Sequence, residues 1–342
     1  MSETASAAAC IDCPTVTIQP TGRTFEAAPT DSFLDAGLRA GLNLRYGCAN
    51  GTCGDCRARV IAGQTRDIGH HDYPLSEVEK ANGTVLMCST APLGDCTIEA
   101  VELHSHTDIA VQTIEARVSR IDRLGDRLIL LGLRTPRSKT LRFLAGQQVD
   151  VKLRDLGPRR KAVASCPCNG MNLQIHVRKI DNDPFTELVF GNLKRGEAVT
   201  ITGPYGSFTL DESFRRPLVF IVFETGFAPV QSLVEHAIAL ECAQPIDLYW
   251  ASAVRDGQYL RNHVRAWADA LDDFRYTEVN LSSEAQFDLR AAIDEIFDGY
   301  ADAASRDFYI TVPKSLRERI DADLRARNIP PEQLHLYTLE RF

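Results

Sequence analysis

Three kinds of hydrophobic pattern succeed one another along the chain. In the first hundred residues, short runs of alternating apolar and polar positions surround one helical stretch. Val16–Ile18 and Thr24–Ala27 read as a hairpin. Asp31 or Ser32 can cap a helix running to about Ala40, with Phe33, Leu34, Ala36, Gly37 and Leu38 toward its buried side. Strands at Arg57–Ile61, Val85–Met87 and Thr97–Val101 and a short helix after Ser76 complete a small mixed sheet packed on one helix. The second pattern is β-rich: Ala116–Arg120, Arg127–Leu133, Gln148–Leu153, Leu173–Arg178 and Val199–Ile201, ending in the turn Gly203–Phe208. Short strands separated by turn residues predict a small antiparallel barrel. The third begins at Leu218–Phe223, the continuous apolar run that a parallel strand buried on both faces needs. Pro229 marks the start of a helix, Val230–Glu241. Strands Asp247–Trp250, Tyr276–Leu281 and Phe308–Thr311 then alternate with helices His263–Leu271, Leu289–Phe297 and Leu316–Arg327. Such alternation predicts an open parallel α/β sheet of nucleotide-binding type.

These patterns divide the 342 residues into an Ala/Ser-rich tail (1–13), a mixed α+β domain (14–103), a polar linker (104–113), a barrel (114–215) and an α/β domain (216–342). A chain of this length exceeds one ordinary core. With 44% hydrophobic and 25% charged residues, the composition is that of a soluble globular protein. No apolar run approaches a membrane span, and the N-terminus lacks a basic-then-apolar leader. The net charge of −8 argues against a nucleic-acid partner. Residues 1–105 hold 13 Asp/Glu and 7 Lys/Arg, a balance of −6 that leaves −2 for the remainder. An acidic face there could steer a basic redox partner, and solubility alone would account for it equally well.

The chemistry concentrates in Tyr46–Cys56. Cys48, Cys53 and Cys56 stand in a C-x4-C-x2-C spacing, and 31 residues separate Cys56 from Cys88. This is the plant-type spacing for a 2Fe–2S cluster. Two irons need four thiolates from two directions, so a short loop folds over one side and a distant strand end supplies the fourth sulfur. Gly47, Gly51 and Gly54 permit positive φ and turn backbone N–H groups toward sulfur. Zinc sites favour paired short spacings instead. The other cysteines lack the density of a disulfide scaffold, which implies a reducing, cytoplasmic location. Cys10 and Cys13 read as surface thiols, and His104 and His106 as solvated linker residues. Cys166 and Cys168 flank Pro167 as either a redox pair or buried structural thiols.

The strand–helix–loop order of residues 14–103 resembles the β-grasp ferredoxin fold, and NGTCGDC and VLMCST resemble the ferredoxin domains of bacterial multi-component reductases. From about residue 14 to the end, the chain resembles the ferredoxin–NAD(P)H reductase family, specifically the reductase components of bacterial mono- and dioxygenases and the glucoseen reductases. Phe143-Leu144-Ala145-Gly146-Gln147, Leu173-Gln174-Ile175-His176-Val177-Arg178, Gly203-Pro204-Tyr205-Gly206-Ser207-Phe208, Thr225-Gly226-Phe227-Ala228-Pro229 and Leu248-Tyr249-Trp250 carry that resemblance. It implies FAD on the barrel, NAD(P)H approaching from the α/β domain, and electrons passing singly to the cluster. It implies flavin contacts at Arg159, Lys161, Ala162, His176, Val177, Arg178, Thr186, Gly203, Tyr205, Gly206 and Ser207, and nucleotide contacts at Thr225 and Gly226.

The departures fall at the reaction centre. Arg159 keeps the Arg of the family's R-x-Y-S flavin motif, but Lys161 replaces its Tyr and Ala162 its Ser. Gln148 stands where another Tyr is usual. Phe223-Glu224 replace Gly-Gly, and a carboxylate there repels a pyrophosphate. Ala253 stands in place of an Arg that grips the dinucleotide, and Thr311-Val312 replace Cys-Gly. The reading is therefore an iron–sulfur electron-transfer protein that exchanges single electrons with a partner oxidoreductase, docked near the acidic ferredoxin domain. Its flavin and pyridine-nucleotide sites are altered, which leaves FAD open and counts against NAD(P)H. A working NAD(P)H reductase component carrying FAD and 2Fe–2S is the alternative. No catalytic Ser/His/Asp set stands out.

Overall fold

The computed structural model describes residues 13–339 apart from 29, 48, 104–108, 138, 255–256 and 282–284, and of 285–288 the backbone alone. The tail with Cys10 and the linker histidines His104 and His106 lie outside the described residues, while Cys13, expected as a surface thiol, is half-buried and disulfide-bonded. The chain packs as two units, one built from residues up to 109 with 135–142 and 167–171, the other from the remainder.

The first unit runs β1 (Thr15–Gln19), β2 (Thr24–Glu26), α1 (Phe33–Arg39), β3 (Arg57–Ala62), β4 (Thr65–Asp67), α2 (Glu77–Ala81), β5 (Thr84–Leu86), β6 (Thr90–Pro92) and β7 (Cys96–Glu99). Its main sheet has the order β2-β1-β7-β3-β5. Only β1 and β7 pair in parallel; the other neighbours are antiparallel. Phe33, Leu34 and Ala36 turn from α1 onto the Val16, Ile18 and Ile98 face of that sheet. Gly37 is required by contact rather than by backbone shape, since a Cβ there would meet Leu44 Cδ1 at 2.5 Å. Ser32, not Asp31, caps the helix: its hydroxyl accepts the Asp35 N–H at 2.9 Å and donates to the Asp35 carboxylate at 2.7 Å. Because that cap is buried, Ser32→Ala is expected to lower stability by about 1 kcal/mol, measured by denaturant unfolding followed in the far ultraviolet.

The second unit opens with β8 (Gln112–Leu124), β9 (Leu128–Arg134), β10 (Gln148–Leu153), β11 (Arg159–Ala162), β12 (Asn172–Arg178), α3 (Pro184–Gly191) and β13 (Ala198–Tyr205). These strands form one antiparallel sheet ordered β11-β10-β13-β8-β9-β12. The sheet curls nearly closed, with the Ala164 N–H just beyond β11 donating to Gln174 O on β12 at 2.7 Å. The alternation Ile114, Ala116, Val118 puts every second β8 side chain inside, as a barrel requires. The strand begins at Gln112, inside the stretch the sequence assigns to the linker.

The chain continues through β14 (Leu218–Phe223), α4 (Phe227–Ala239), β15 (Ile246–Ser252), α5 (Arg261–Ala270), β16 (Phe274–Asn280), α6 (Ala285–Asp298), β17 (Asp307–Pro313), α7 (Arg317–Arg325) and β18 (Leu334–Leu339). All five strands are parallel, in the order β16-β15-β14-β17-β18. Every residue of β14 and β17 is buried, which is why Leu218–Phe223 is apolar without alternation. The chain steps outward from β14 to β16, then returns to place β17 on the other side. The strand order therefore reverses between β14 and β17, the crevice at which such sheets receive ligands. Ala145, Ala162 and Phe208 of the barrel share one core with Phe220, Val222 and Leu233. The sequence reading left out β4, β6, β11, α3 and β18, the last beside β17 at the edge of the sheet.

Candidate functional site

The cysteine site is built by strand ends of the first unit. Cys56 directly precedes β3, and Cys88 lies in the turn between β5 and β6. The Met87 N–H donates to Cys56 O at 3.0 Å, tying the two segments so that Cys56 Sγ and Cys88 Sγ lie 3.3 Å apart. Cys53, Cys56 and Cys88 form no disulfide, and are exposed, buried and half-buried respectively. Cys48 lies outside the described residues.

The intervening loop is shaped by glycine. Gly51 and Gly54 have φ of +80° and +74°, and a Cβ would meet His71 Cβ at 2.4 Å and the Tyr73 ring at 2.5 Å. Gly47 does not need the left-handed region, yet a Cβ there would lie 2.7 Å from Cys53 Sγ. The loop is clamped from outside, because the Tyr73 N–H donates to Gly51 O at 2.9 Å and Arg57 donates to Tyr73 Oη at 3.0 Å. The Asp55 N–H points at Cys53 Sγ from 3.4 Å. Converging thiols, absent Cβ atoms and an amide aimed at sulfur fit a 2Fe–2S cluster, which would be held by these cysteines and carry one electron at a time.

The second unit contains a cavity of about 930 Å³. Arg159, Arg160, Lys161, Lys314 and Arg317 line it against Asp150 and Asp183, a formal balance of +3 in a chain of net charge −8. Arg160 is committed: it binds the Asp150 carboxylate at 2.6 and 2.9 Å and lies 3.8 Å over the Tyr205 ring. Arg159 donates to Asp183 at 3.1 Å. Burial raises the Asp183 carboxyl, but the hydrogen bonds from Arg159 and the Phe185 N–H outweigh it and hold the group below its usual range. Lys161 stands 5.9 Å from the Phe185 ring. From the far wall, Arg317 donates to Leu336 O and Thr338 Oγ1 at 3.1 and 2.7 Å.

Of the residues singled out from sequence, Ala162, His176, Gly206, Ser207 and Thr225 join Arg159 and Lys161 in lining the cavity. Val177, Gly203, Tyr205 and Gly226 lie outside the lining. Thr186 is turned away from it: fully buried, its hydroxyl donates to Ile180 O at 2.8 Å and accepts the Ile180 N–H at 3.2 Å. His176 accepts from Tyr259 Oη at Nδ1 (2.8 Å) and donates from Nε2 to Gln174 Oε1 (3.2 Å), the tautomer that satisfies both partners. Burial pushes its pKa down to about 3, so it is a neutral imidazole at physiological pH.

Arg178 is turned to Glu224, 3.6 Å from its carboxylate. Glu224 is buried in a left-handed backbone, φ +49°, on the single turn Glu224–Gly226 that joins β14 to α4. Its Oε1 accepts the Ser252 hydroxyl and the Ala253 N–H, both at 3.0 Å, at the end of β15. Its carbonyl accepts the Trp250 indole N–H at 3.1 Å. Beside it, the Phe223 N–H donates to Thr311 Oγ1 at 2.8 Å, and a Cβ on Gly226 would meet that oxygen at 2.1 Å. The ends of β14 and β17 are thus tied by the Phe223–Thr311 contact, while Thr225, Lys314 and Arg317 face the cavity.

Sequence reasoning missed Lys314, Arg317 and Ser252. Each follows or ends a parallel strand at its C-terminal edge, where ligands of such sheets bind; that position was the available signal.

A ferredoxin-type cysteine unit followed along the chain by a barrel and a parallel α/β sheet defines an iron–sulfur electron-transfer protein of reductase architecture. Residues 16–93 match the 2Fe-2S iron-sulfur cluster binding domain. The chain is 31% identical over 265 residues to a CDP-6-deoxy-L-threo-D-glycero-4-hexulose-3-dehydrase reductase of Yersinia pestis, covering 77% of this chain and 79% of that one. It is 23% identical over 333 residues to the reductase component of propane 2-monooxygenase of Gordonia sp. (strain TY-5), covering 94% and 96%. The crystal structure of the Amycolatopsis cytochrome P450 reductase GcoB has the same fold, with a TM-score of 0.58, 23% identity and coverage of 95% and 99%. The chain belongs to the ferredoxin–NAD(P)H reductase family, among members with an N-terminal 2Fe–2S ferredoxin domain. No described helix is long and apolar enough to cross a membrane.

Proposed function

We propose that this protein relays single electrons through a cluster ligated by Cys48, Cys53, Cys56 and Cys88, and that its pyridine-nucleotide site no longer admits NAD(P)H. The partner is an oxidoreductase of the kind the relatives' names describe, an oxygenase or a dehydrase, docking on the acidic ferredoxin domain within the cytoplasm. The observation that carries this reading is Glu224. A buried carboxylate already takes the Ser252 hydroxyl, the Ala253 N–H and the Arg178 charge, the donors an incoming anionic dinucleotide would need.

FAD is a weaker ligand in this reading, not an excluded one. The cationic cavity suits a diphosphate, and Arg159 offers a charge-assisted bond. Thr186 is engaged with backbone and contributes none. Lys161 in place of an aromatic forfeits a stacking partner worth about 0.5–1.5 kcal/mol, and Ala162 in place of a serine forfeits a hydrogen bond of about 1 kcal/mol. Together these weaken the site by a factor on the order of tens. The test is reconstitution with FAD followed by gel filtration. Wild type is expected to lose FAD on the column, and Lys161→Tyr/Ala162→Ser to retain it. Equal, stoichiometric retention by both proteins would remove these two positions from the account.

A further inference from the structure

The positive charge of the cavity in the second unit is unevenly committed. Arg159 is paired with Asp183 and Arg160 with Asp150, so the formal surplus of +3 rests on Lys161, Lys314 and Arg317. Two of these three stand at the C-terminal end of the parallel sheet: Lys314 directly follows β17, and Arg317 opens α7. Arg317 spends only Nη1 on the chain, donating to Leu336 O and Thr338 Oγ1. Both acceptors are neutral, so the guanidinium keeps its charge while its Nε and Nη2 protons stay available. The Thr338 hydroxyl accepts from Arg317, which leaves its own proton to donate, and Thr338 also lines the cavity. Lys314 is exposed, and among the described residues its ammonium has neither a hydrogen bond nor an ion pair. No side chain caps α7 at Leu316, so the positive end of the helix dipole adds to the same field. Glu318, in the first turn of α7, is exposed and lies outside the lining.

We propose that Lys314, Arg317 and Thr338 form a phosphate subsite at the end of β17, which takes a phosphoryl group of a diphosphate ligand, with Lys161 supplying the third charge from β11. A guanidinium held against β18, a mobile ammonium and a hydroxyl offer donors on several sides of a tetrahedral anion. Charge-assisted bonds from Arg and Lys favour phosphate over neutral oxygen groups. Three uncancelled positive charges suit a diphosphate better than a single carboxylate, and about 930 Å³ leaves room for a nucleoside beside it. Glu224 is not among the lining residues, so the subsite is open whether or not the pyridine-nucleotide site is closed.

The test is calorimetric titration of the cluster-loaded full chain with inorganic pyrophosphate, ADP and adenosine. The buffer is free of phosphate and sulfate and holds about 0.1 M chloride, which screens charges beyond about 10 Å. Any flavin seen in the visible spectrum is removed first by gel filtration at high salt, which separates a filled cavity from one that refuses the anion. Pyrophosphate and ADP are expected to bind with Kd below about 1 mM, and adenosine not to bind. Equal affinities identify the bare diphosphate as the group recognised; tighter ADP adds a contact to the nucleoside. Lys314→Ala should weaken both ligands by about fivefold or more, and Lys314→Glu should abolish binding. Arg319→Ala, which removes an exposed cation of α7 outside the lining, should shift neither affinity by more than about twofold. Absence of pyrophosphate binding, indifference to Lys314→Ala, or an equal loss in Arg319→Ala would each overturn the proposal. Circular dichroism and the cluster spectrum report whether the variants remain folded.

Discussion

Cys56→Ser is expected to abolish the cluster. The variant should lose the visible absorption and the rhombic EPR signal of the reduced protein, and its iron should fall from two per chain to background. Cys56 is 1% exposed, and its sulfur faces that of Cys88 at 3.3 Å. A serine hydroxyl there is a harder, shorter ligand that iron–sulfur chemistry does not favour. Leu44 and Tyr46 anchor the start of the loop in the core. Beyond them Gly51 is tied to Tyr73, which Arg57 clamps, so metal-binding free energy contributes to its folding. The damage should therefore reach beyond the metal, with amides of residues 43–90 exchanging faster with solvent. Cys242→Ser, in the other unit, is the control and should keep full iron. If Cys56→Ser retains stoichiometric iron and the EPR signal, the ligand assignment fails.

The second large effect is expected at Glu224. Wild type should reduce ferricyanide with NADH or NADPH at less than about one turnover per second, far under the tens per second ordinary for enzymes. Glu224→Gly should tighten NADPH binding at least tenfold at low salt. The substitution removes a negative charge from the end of β14 and frees the Ser252 hydroxyl, the Ala253 N–H and Arg178. One charge removed near a phosphate is worth about 1 kcal/mol or more at protein-surface dielectric, and each freed donor adds to that. Stability responds in two directions. Arg178 loses a buried partner, costing roughly 1–3 kcal/mol, while glycine relieves the φ of +49° by about 1 kcal/mol. Circular dichroism separates a folded variant from a collapsed one. Calorimetric titration of NADPH decides the matter: unchanged affinity in a folded Glu224→Gly protein would mean that this carboxylate does not guard the site, and brisk wild-type turnover would favour the working-reductase alternative.

The elements legible in the sequence were those whose pattern depends on nearby residues. The run Leu218–Phe223 announced a strand buried on both faces, and β14 is that strand. Asp31 and Ser32 both announced a cap, and the Ser32 hydroxyl supplies it. The region Leu334–Leu339 alternates too weakly to stand out; it becomes β18 because β17 offers a parallel edge beside it. Likewise, Asp183 and Pro184 carry a start signal for α3, the helix that holds Thr186. The structure gives that threonine to the Ile180 backbone instead.

The sequence by itself determined the cluster class: residues 16–93 match the 2Fe-2S iron-sulfur cluster binding domain, and four cysteines at plant-type spacing, with glycines between the first three, suit that cluster. It also determined the order of the three layers, since period-2 and period-3.6 patterns are local. Tertiary structure alone decided what the altered residues do. Phe223-Glu224 read only as a lost glycine pair; folding brings the carboxylate to Ser252 and Ala253, 28 and 29 residues further on, and gives it two hydrogen bonds there. The cationic cavity has the same origin. Lys314 and Arg317 follow β17, far in sequence from Arg159 and Lys161 on β11, and only the packing of a parallel sheet against the barrel's edge strand brings the two pairs of charges around one volume.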